Sequence, residues 1–407
     1  MERVQENLLK LLSDVLWHKT SEHSYSEPEW MDILALAEEQ GVLFLILQGC
    51  GCIRMQISST EWLKWRSKLV STMVNNDSLM ALQSKLLDLM AEKEIPCAVL
   101  KGAGLAICYY EPAVRALGDI DILIAPQYAG QAVDLLLAQG FSAPEESFNH
   151  PYHIDFYKKN RIVELHLAVS SFPDSPAGAE AKRIMESCWQ DIRNKQFSGH
   201  SFPCLSDLHQ ALSLMLHMQR HMTTGCIGLR QLCDWASFLK SVPPENFRKQ
   251  IFPKLQDCGL AEFAAVLTMT AVRYLGLEPE YTIWCQRVHE STIRAMIGEI
   301  LREGSIHHKN QTEDSSSFFV EVSGTESALR VFVSKINALA KRKFQVTQKF
   351  PLLLPLFWIY IPVRYWARSL AGKRRRKSLF QTIRMTQQRK QLYKELHLFQ
   401  VEQERTR

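Results

Sequence analysis

Hydrophobic residues recur at helical spacing through the first 95 residues. Ser58 followed by Glu61 makes a capping-box pattern. Trp62, Trp65, Leu69 and Met73 then return at intervals of three and four, followed by Leu79, Leu82, Leu86 and Leu89. The spacing predicts amphipathic helices with stripes turned toward a core. The period changes at Ile95-Pro96. Cys97 to Leu100 is a short apolar run broken at Lys101-Gly102-Ala103-Gly104, Leu105 to Tyr110 suits a helix, and Gly118 to Ala125, GDIDILIA, alternates acidic with aliphatic residues. That order is strand, glycine turn, helix, strand. Gln127 to Gln139 predicts a helix closed by Gly140, and His153 to Tyr157 and Arg161 to Ala168 predict a hairpin around Lys158-Lys159-Asn160.

Ser171 to Gly199, with Pro173, Pro176 and Gly178, reads as an irregular connection. Ser206 is a candidate N-cap for a helix through Met222, Leu229 to Leu239 is another, more follow to about Gly304, and polar His307 to Ser317 reads as a loop. The expected class is α+β. It comprises a helical N-terminal region at 1–95, a small α/β module at 96–170, a helical C-terminal domain at 171–345, and a hydrophobic arm with a basic tail at 346–407.

Composition narrows this only a little. With 46% hydrophobic and 22% charged residues among 407, the chain has a globular balance, which excludes a disordered or collagen-like protein. The ten cysteines are scattered, and the nearest pair, Cys50 and Cys52, has one intervening residue instead of the two of a CxxC motif. Reduced thiols in a cytoplasmic protein are expected, and the charged start MERVQENLLKLLSDVL lacks a secretory h-region. Charge is uneven: from Arg364 to Arg407, thirteen Lys and Arg face three Glu, +10 in a chain of net +5, which leaves −5 on the rest. Just before this tail, Phe350 to Val363 is fourteen residues long with three prolines, short of the roughly 20 needed to span a bilayer. With Lys373-Arg374-Arg375-Arg376-Lys377 it can dock on an anionic membrane surface, pack on the helical domain, or bind nucleic acid; these alternatives stay open.

The chemistry concentrates in LKGAGLAICYYEPAVRALGDIDILI. On a strand Asp119 and Asp121 share one face and Ile120, Ile122 and Ile124 the other. Two like charges held so close call for a cation, and Mg²⁺ is the hard ion suited to oxygen ligands. Gly102 and Gly104 allow close backbone approach, a helix start there would face an anion, and Lys101 and Arg115 are nearby cations, a set that fits an NTP such as ATP. A third carboxylate is wanted for two-metal chemistry. Glu164, inside the apolar strand IVELHLAVS, is preferred over Asp155, which lies between His153 and Tyr157. His166 either orients Glu164 or is simply bonded in place. His217 and His221, four apart in HMQRH, lack a third ligand and read as a structural or solvent-facing pair, and Arg230 and Asp234 as a helix salt bridge or, for Arg230, a base or acceptor contact.

Lys101-Gly102, Tyr109-Tyr110, Arg115, Gly118-Asp119-Ile120-Asp121-Ile122-Leu123 and Val163-Glu164-Leu165-His166 together resemble the uncharacterised nucleotidyltransferase family of the DNA polymerase β-like superfamily. That superfamily is marked by a Gly-rich turn, an hDhDh strand soon after it, and a third acid on a later strand. Fourteen residues lie between Gly104 and Asp119 here. The resemblance covers residues 97–170 and extends toward GLRQLCDW; Ala103 stands where Gly or Ser is frequent, and Glu164 where Asp is more usual. It implies a nucleotidyltransferase fold, a small mixed sheet flanked by helices. It further implies transfer of a nucleotidyl group from an NTP to an acceptor hydroxyl, with Asp119, Asp121 and Glu164 as ligands of Mg²⁺ or Mn²⁺. The competing class is a catalytically silent fold serving as a binding or scaffold module.

Overall fold

A computed structural model of the chain describes residues 1–19, 23–150, 152–170, 172–173, 175–224, 227–285 and 288–302, and beyond these only scattered positions between 337 and 398. The expected loop at 307–317 and the basic cluster at 373–377 lie outside the described residues. The arm at 350–363 is described only at 353–358 and 360. The chain divides into two compact units, one of residues 1–222, 226–307 and 397–407, the other of 223–225 and 308–396. Among the described residues no helix is long and apolar enough to cross a membrane.

The first unit is built on a six-stranded mixed sheet in the order β3-β4-β2-β1-β6-β5. The strands are β1 (Cys97–Val99), β2 (Ile120–Ile124), β3 (His153–Lys158), β4 (Arg161–His166), β5 (Arg193–Phe197) and β6 (His200–Cys204). β2 runs parallel to β4 and β1 to β6, whereas β1–β2, β3–β4 and β5–β6 are antiparallel. The β3–β4 hairpin turns where its polar tripeptide predicts.

Alternation in GDIDILI decides what each sheet face does. Ile120, Ile122 and Ile124 are at most 2% exposed and pack with Val163, Leu165, Ile154 and Phe156 beneath Ala132 and Leu136 of the helix Ala129–Ala138. Full burial of such a side chain contributes roughly 1.5–3 kcal/mol, so this face holds the register. Gly140, at φ +77°, follows that helix in the left-handed conformation a helix end favours. Leu79, Met80, Leu86, Leu87 and Met90 of the long helix Ser59–Glu92 join the same core.

The structure corrects three expectations. The two predicted stripes belong to one helix of 34 residues, and its first half is not uniformly core-facing: Trp65 is buried, but Met73 is exposed beside Leu63, Val70 and Val74. The sheet does not end at residue 170. Within the supposed irregular connection lie a helix, Pro176–Glu186, capped by Ser175 Oγ accepting from the Gly178 N–H, and β5, the first strand of the β5–β6 hairpin. Ser198 and Gly199, both at positive φ, form its two-residue turn. Finally, the helix expected at Leu105–Tyr110 is a single turn, Ala103–Ala106.

The later helices agree more closely. Helices Asp207–Thr224, Leu229–Ser241, Ala261–Leu275 and Glu290–Arg302 follow. The first of them reaches back to the sheet: Gln210 Nε2 donates to the Leu100 carbonyl at 3.3 Å, and Arg220 stacks on and donates to Tyr152 beside β3.

Candidate active site

On the polar face of the sheet, three carboxylates form a row. Asp121 on β2 is the register partner of Glu164 on β4, and Glu164 is the partner of Asp155 on β3. Register partners project to one face, and neighbouring strands lie about 4.8 Å apart, so the row is continuous. His166 and His153, themselves partners, stand two residues further along on that face. The side chains gather into two overlapping groups, Asp121 with Glu164 and His166, and Glu164 with Asp155 and His153; within each the donor atoms all lie within 4.8 Å of one another.

The charge in this row is offset from within. Lys101 Nζ lies 2.8 Å from Asp121 Oδ1, and His166 Nε2 donates to the same oxygen at 2.9 Å and stands 3.3 Å from Glu164 Oε2. Burial favours the neutral acid at Asp121, yet the Lys101 cation and the His166 bond hold its carboxyl well below the usual range. For His166, burial works against the imidazolium, but bonds to Asp121 and Glu164 outweigh it and raise its pKa. Lys101 follows the same logic: burial opposes its charge and the carboxylates restore and raise it. The Asp121 side chain is 2% exposed and that of Glu164 22%, so solvent meets the cluster on the Glu164 side.

Asp119 precedes β2, half-buried, and stands outside both groups; its charge is felt by Lys101 and Arg115. Gly102, at φ +52°, makes the turn that carries Lys101 back over β2. Gly104 is buried, and a Cβ there would meet the Val99 carbonyl at 3.2 Å, so its missing side chain serves packing against β1. Arg115, expected to help hold an NTP, is directed elsewhere. Its Nε and Nη2 donate to Asp234 Oδ1 and Oδ2 at 2.7 and 2.9 Å, and its Nη1 to the Gly102 carbonyl at 3.0 Å. Tyr109 Oη donates to Asp234 Oδ1 at 2.7 Å. Asp234 thus pairs across the chain with Arg115 and not along its helix with Arg230.

Several of these groups are only weakly signalled in the sequence. Asp155 is the lesser candidate for third acid there, and the register makes it the neighbour of Glu164 instead of its rival. His153 carries no separate signal. His217, expected to be structural or solvent-facing, has its pKa held well below the ordinary value, by burial first and then by Lys101, His221 and Arg220. An alternating hairpin, HIDFY against IVELH, is the one sequence hint that His153 and Asp155 share the face of Glu164.

The donor chemistry fits a divalent cation. Asp121 and Glu164 converge on the His166 Nε2 donor, Lys101 pairs with Asp121 as well, and His166 Nδ1 is buried with no hydrogen-bond partner. Paired carboxylates answered by positive groups form an environment in which a hard ion would share or take over that neutralising role. No curated protein matches the chain. Its residues 26–276, well over half of the sequence and the stretch that contains the whole sheet, match the uncharacterised nucleotidyltransferase family, and the chain belongs to that family.

Proposed function

We propose that the protein transfers a nucleoside monophosphate from an NTP to an acceptor hydroxyl, with release of pyrophosphate. The observation that carries this is the in-register pairing of Asp121 with Glu164 on one polar face, beside the turn at Gly102, in a chain of this family. Asp119, Asp121 and Glu164 would hold Mg²⁺ or Mn²⁺. Such an ion, when bound, neutralises phosphate charge and makes an acceptor hydroxyl more acidic. The Lys101 ammonium, which rests on Asp121, would be available to pair with a phosphate oxygen were a cation to neutralise that carboxylate. His166 holds Asp121 and Glu164 in position through one N–H, and Arg115 fixes the turn through the Gly102 carbonyl. Positioning and charge balance supply the catalysis, as phosphoryl chemistry requires.

One observation favours a second reading. Asp121 is almost wholly buried and already neutralised by Lys101 and His166, an arrangement a catalytically silent binding fold could retain unchanged. Incubating the chain with each labelled NTP and Mg²⁺ or Mn²⁺, then measuring pyrophosphate and label transfer, separates the two. The transfer reading requires NTP binding that tightens with the metal, and turnover abolished in the folded Asp119→Asn, Asp121→Asn double variant. Metal-independent binding without turnover supports the silent fold, and turnover unchanged in the double variant rejects the assignment.

A further inference from the structure

The second group on the polar face, His153, Asp155 and Glu164, plays no part in the proposed transfer beyond Glu164 itself. Its three donors come from two adjacent strands locked by the β3–β4 register, so their approach is set by the backbone pairing and not by chance surface rotamers. All three donor atoms lie within 4.8 Å of one another. Ligand bonds of about 2.0–2.2 Å to one tetrahedral ion place the donors about 3.4 Å apart, so side-chain rotation has to draw the set inward to close it.

Two further features point to a ligand. Asp155 Oδ1 is ion-paired with His153 Nε2 at 3.2 Å, but His153 Nδ1 is buried with no hydrogen-bond partner. A buried ring nitrogen left in this state is costly and marks a place where a partner is missing. Tyr157 Oη supplies an outer contact, donating to Asp155 Oδ2 at 3.4 Å, and the His150 and His153 ring centroids lie 3.7 Å apart. Access exists, since β3 is the edge strand and the Asp155 side chain is 31% exposed.

We propose that His153, Asp155 and Glu164 form a Zn²⁺-type transition-metal site with an open coordination position, Glu164 being shared with the Asp121 cluster. One imidazole and two carboxylates form a mixed nitrogen and oxygen set, which suits such ions, whereas Mg²⁺ prefers oxygen ligands throughout. Three protein ligands with a fourth position left to water or substrate is the arrangement of reactive rather than structural zinc. The site stands whether or not nucleotidyl transfer does, because its test reads binding alone.

The full chain, stripped with a chelator, is titrated with Zn²⁺ against a chromophoric chelator, and separately with Co²⁺ followed by visible absorption. The expected result is one tightly held Zn²⁺ per chain. Its affinity falls by at least the roughly 10–100-fold that loss of even an outer-shell partner costs, in both His153→Asn and Asp155→Asn, and it is retained in Asp121→Asn. The Co²⁺ spectrum should be that of a nitrogen and oxygen site and should vanish in the His153 variant. Absence of stoichiometric binding, binding indifferent to both β3 substitutions, or loss in the Asp121 variant alone would overturn the proposal. So would a thiolate-to-Co²⁺ charge-transfer band, which assigns the ion to cysteine. Asp155 is a partly exposed edge-strand position, so its Asn variant keeps the fold and decides the matter if the His153 variant does not.

Discussion

Removing the Asp234 carboxylate should be among the most damaging single changes in this protein. Asp234, on the helix Leu229–Ser241, accepts from Arg115 at 2.7 and 2.9 Å and from Tyr109 at 2.7 Å, and the side chains of Arg115 and Asp234 are only 4% and 5% exposed. In Asp234→Ala the guanidinium stays buried with its counter-charge gone, for which the cost is about 3–5 kcal/mol. Tyr109→Phe deletes one bond and leaves the ion pair whole, so it should cost near ~1.5 kcal/mol, the low end for a bond to a charged group. Arg115→Ala loses the pair and also the bond to the Gly102 carbonyl. In the Arg115, Asp234 double variant no charge is stranded, so the singles should overshoot the double by about 2–3 kcal/mol.

Urea unfolding of the wild type, the two singles and the double measures the cycle. The pH dependence gives a second check. Burial favours the neutral acid, but Arg115 wins and holds the Asp234 pKa below its ordinary value. Its contribution is therefore present above about pH 3.9, the unfolded value, and lost as pH falls through the folded one. Asp234→Asn should flatten that acid-side loss. A cost below about 1 kcal/mol for Asp234→Ala, or additive singles, would show that no buried charge is stranded when the carboxylate goes.

Other consequences can be measured in parallel. Gly102→Ala should cost about 1–3 kcal/mol from backbone strain alone, since φ is +52° with ψ −114° while the nearest atom to a Cβ is 3.6 Å away; Gly118→Ala, with open space and no positive φ, should be neutral or slightly stabilising. Equal effects of the two in a thermal melt would argue against this account of the turn. His217 has a folded pKa pushed well below its unfolded value of about 6.5, so the folded state loses stability as pH drops below that point. His217→Gln should shed this part of the loss, up to about 1.4 kcal/mol per pH unit, and unfolding curves at pH 7 and pH 5 that shift equally in both proteins would contradict it.

The organisation of the site explains why its residues do not act singly. Asp121 receives Lys101 and His166, His166 also reaches Glu164, and Glu164 sits beside Asp155. A substitution at any one of them moves the charge balance of the others. Functional variants here are best interpreted in pairs, with folding measured alongside.

What could be read from the sequence was local. Alternation in GDIDILI placed Asp121 opposite the isoleucines, because side chains on a strand alternate with period two whatever the rest of the fold does, whereas Asp119 precedes the strand. Likewise Ser58 did open the helix Ser59–Glu92, and Lys158-Lys159-Asn160 did join two strands, since caps and tight turns depend on a few consecutive residues. The β5–β6 hairpin escaped because its edge strand β5, with mostly exposed side chains, carries little hydrophobic period, although Ser198-Gly199 was a legible turn. Only the tertiary structure decided the pairings between distant segments. The alignment of Asp121 with Glu164 and Asp155, the seat of Lys101 on Asp121, and the bond from Arg115 to Asp234 all join residues brought together by packing. A charged side chain has no periodicity that names its partner, and which carboxylate it meets depends on which apolar faces bury first.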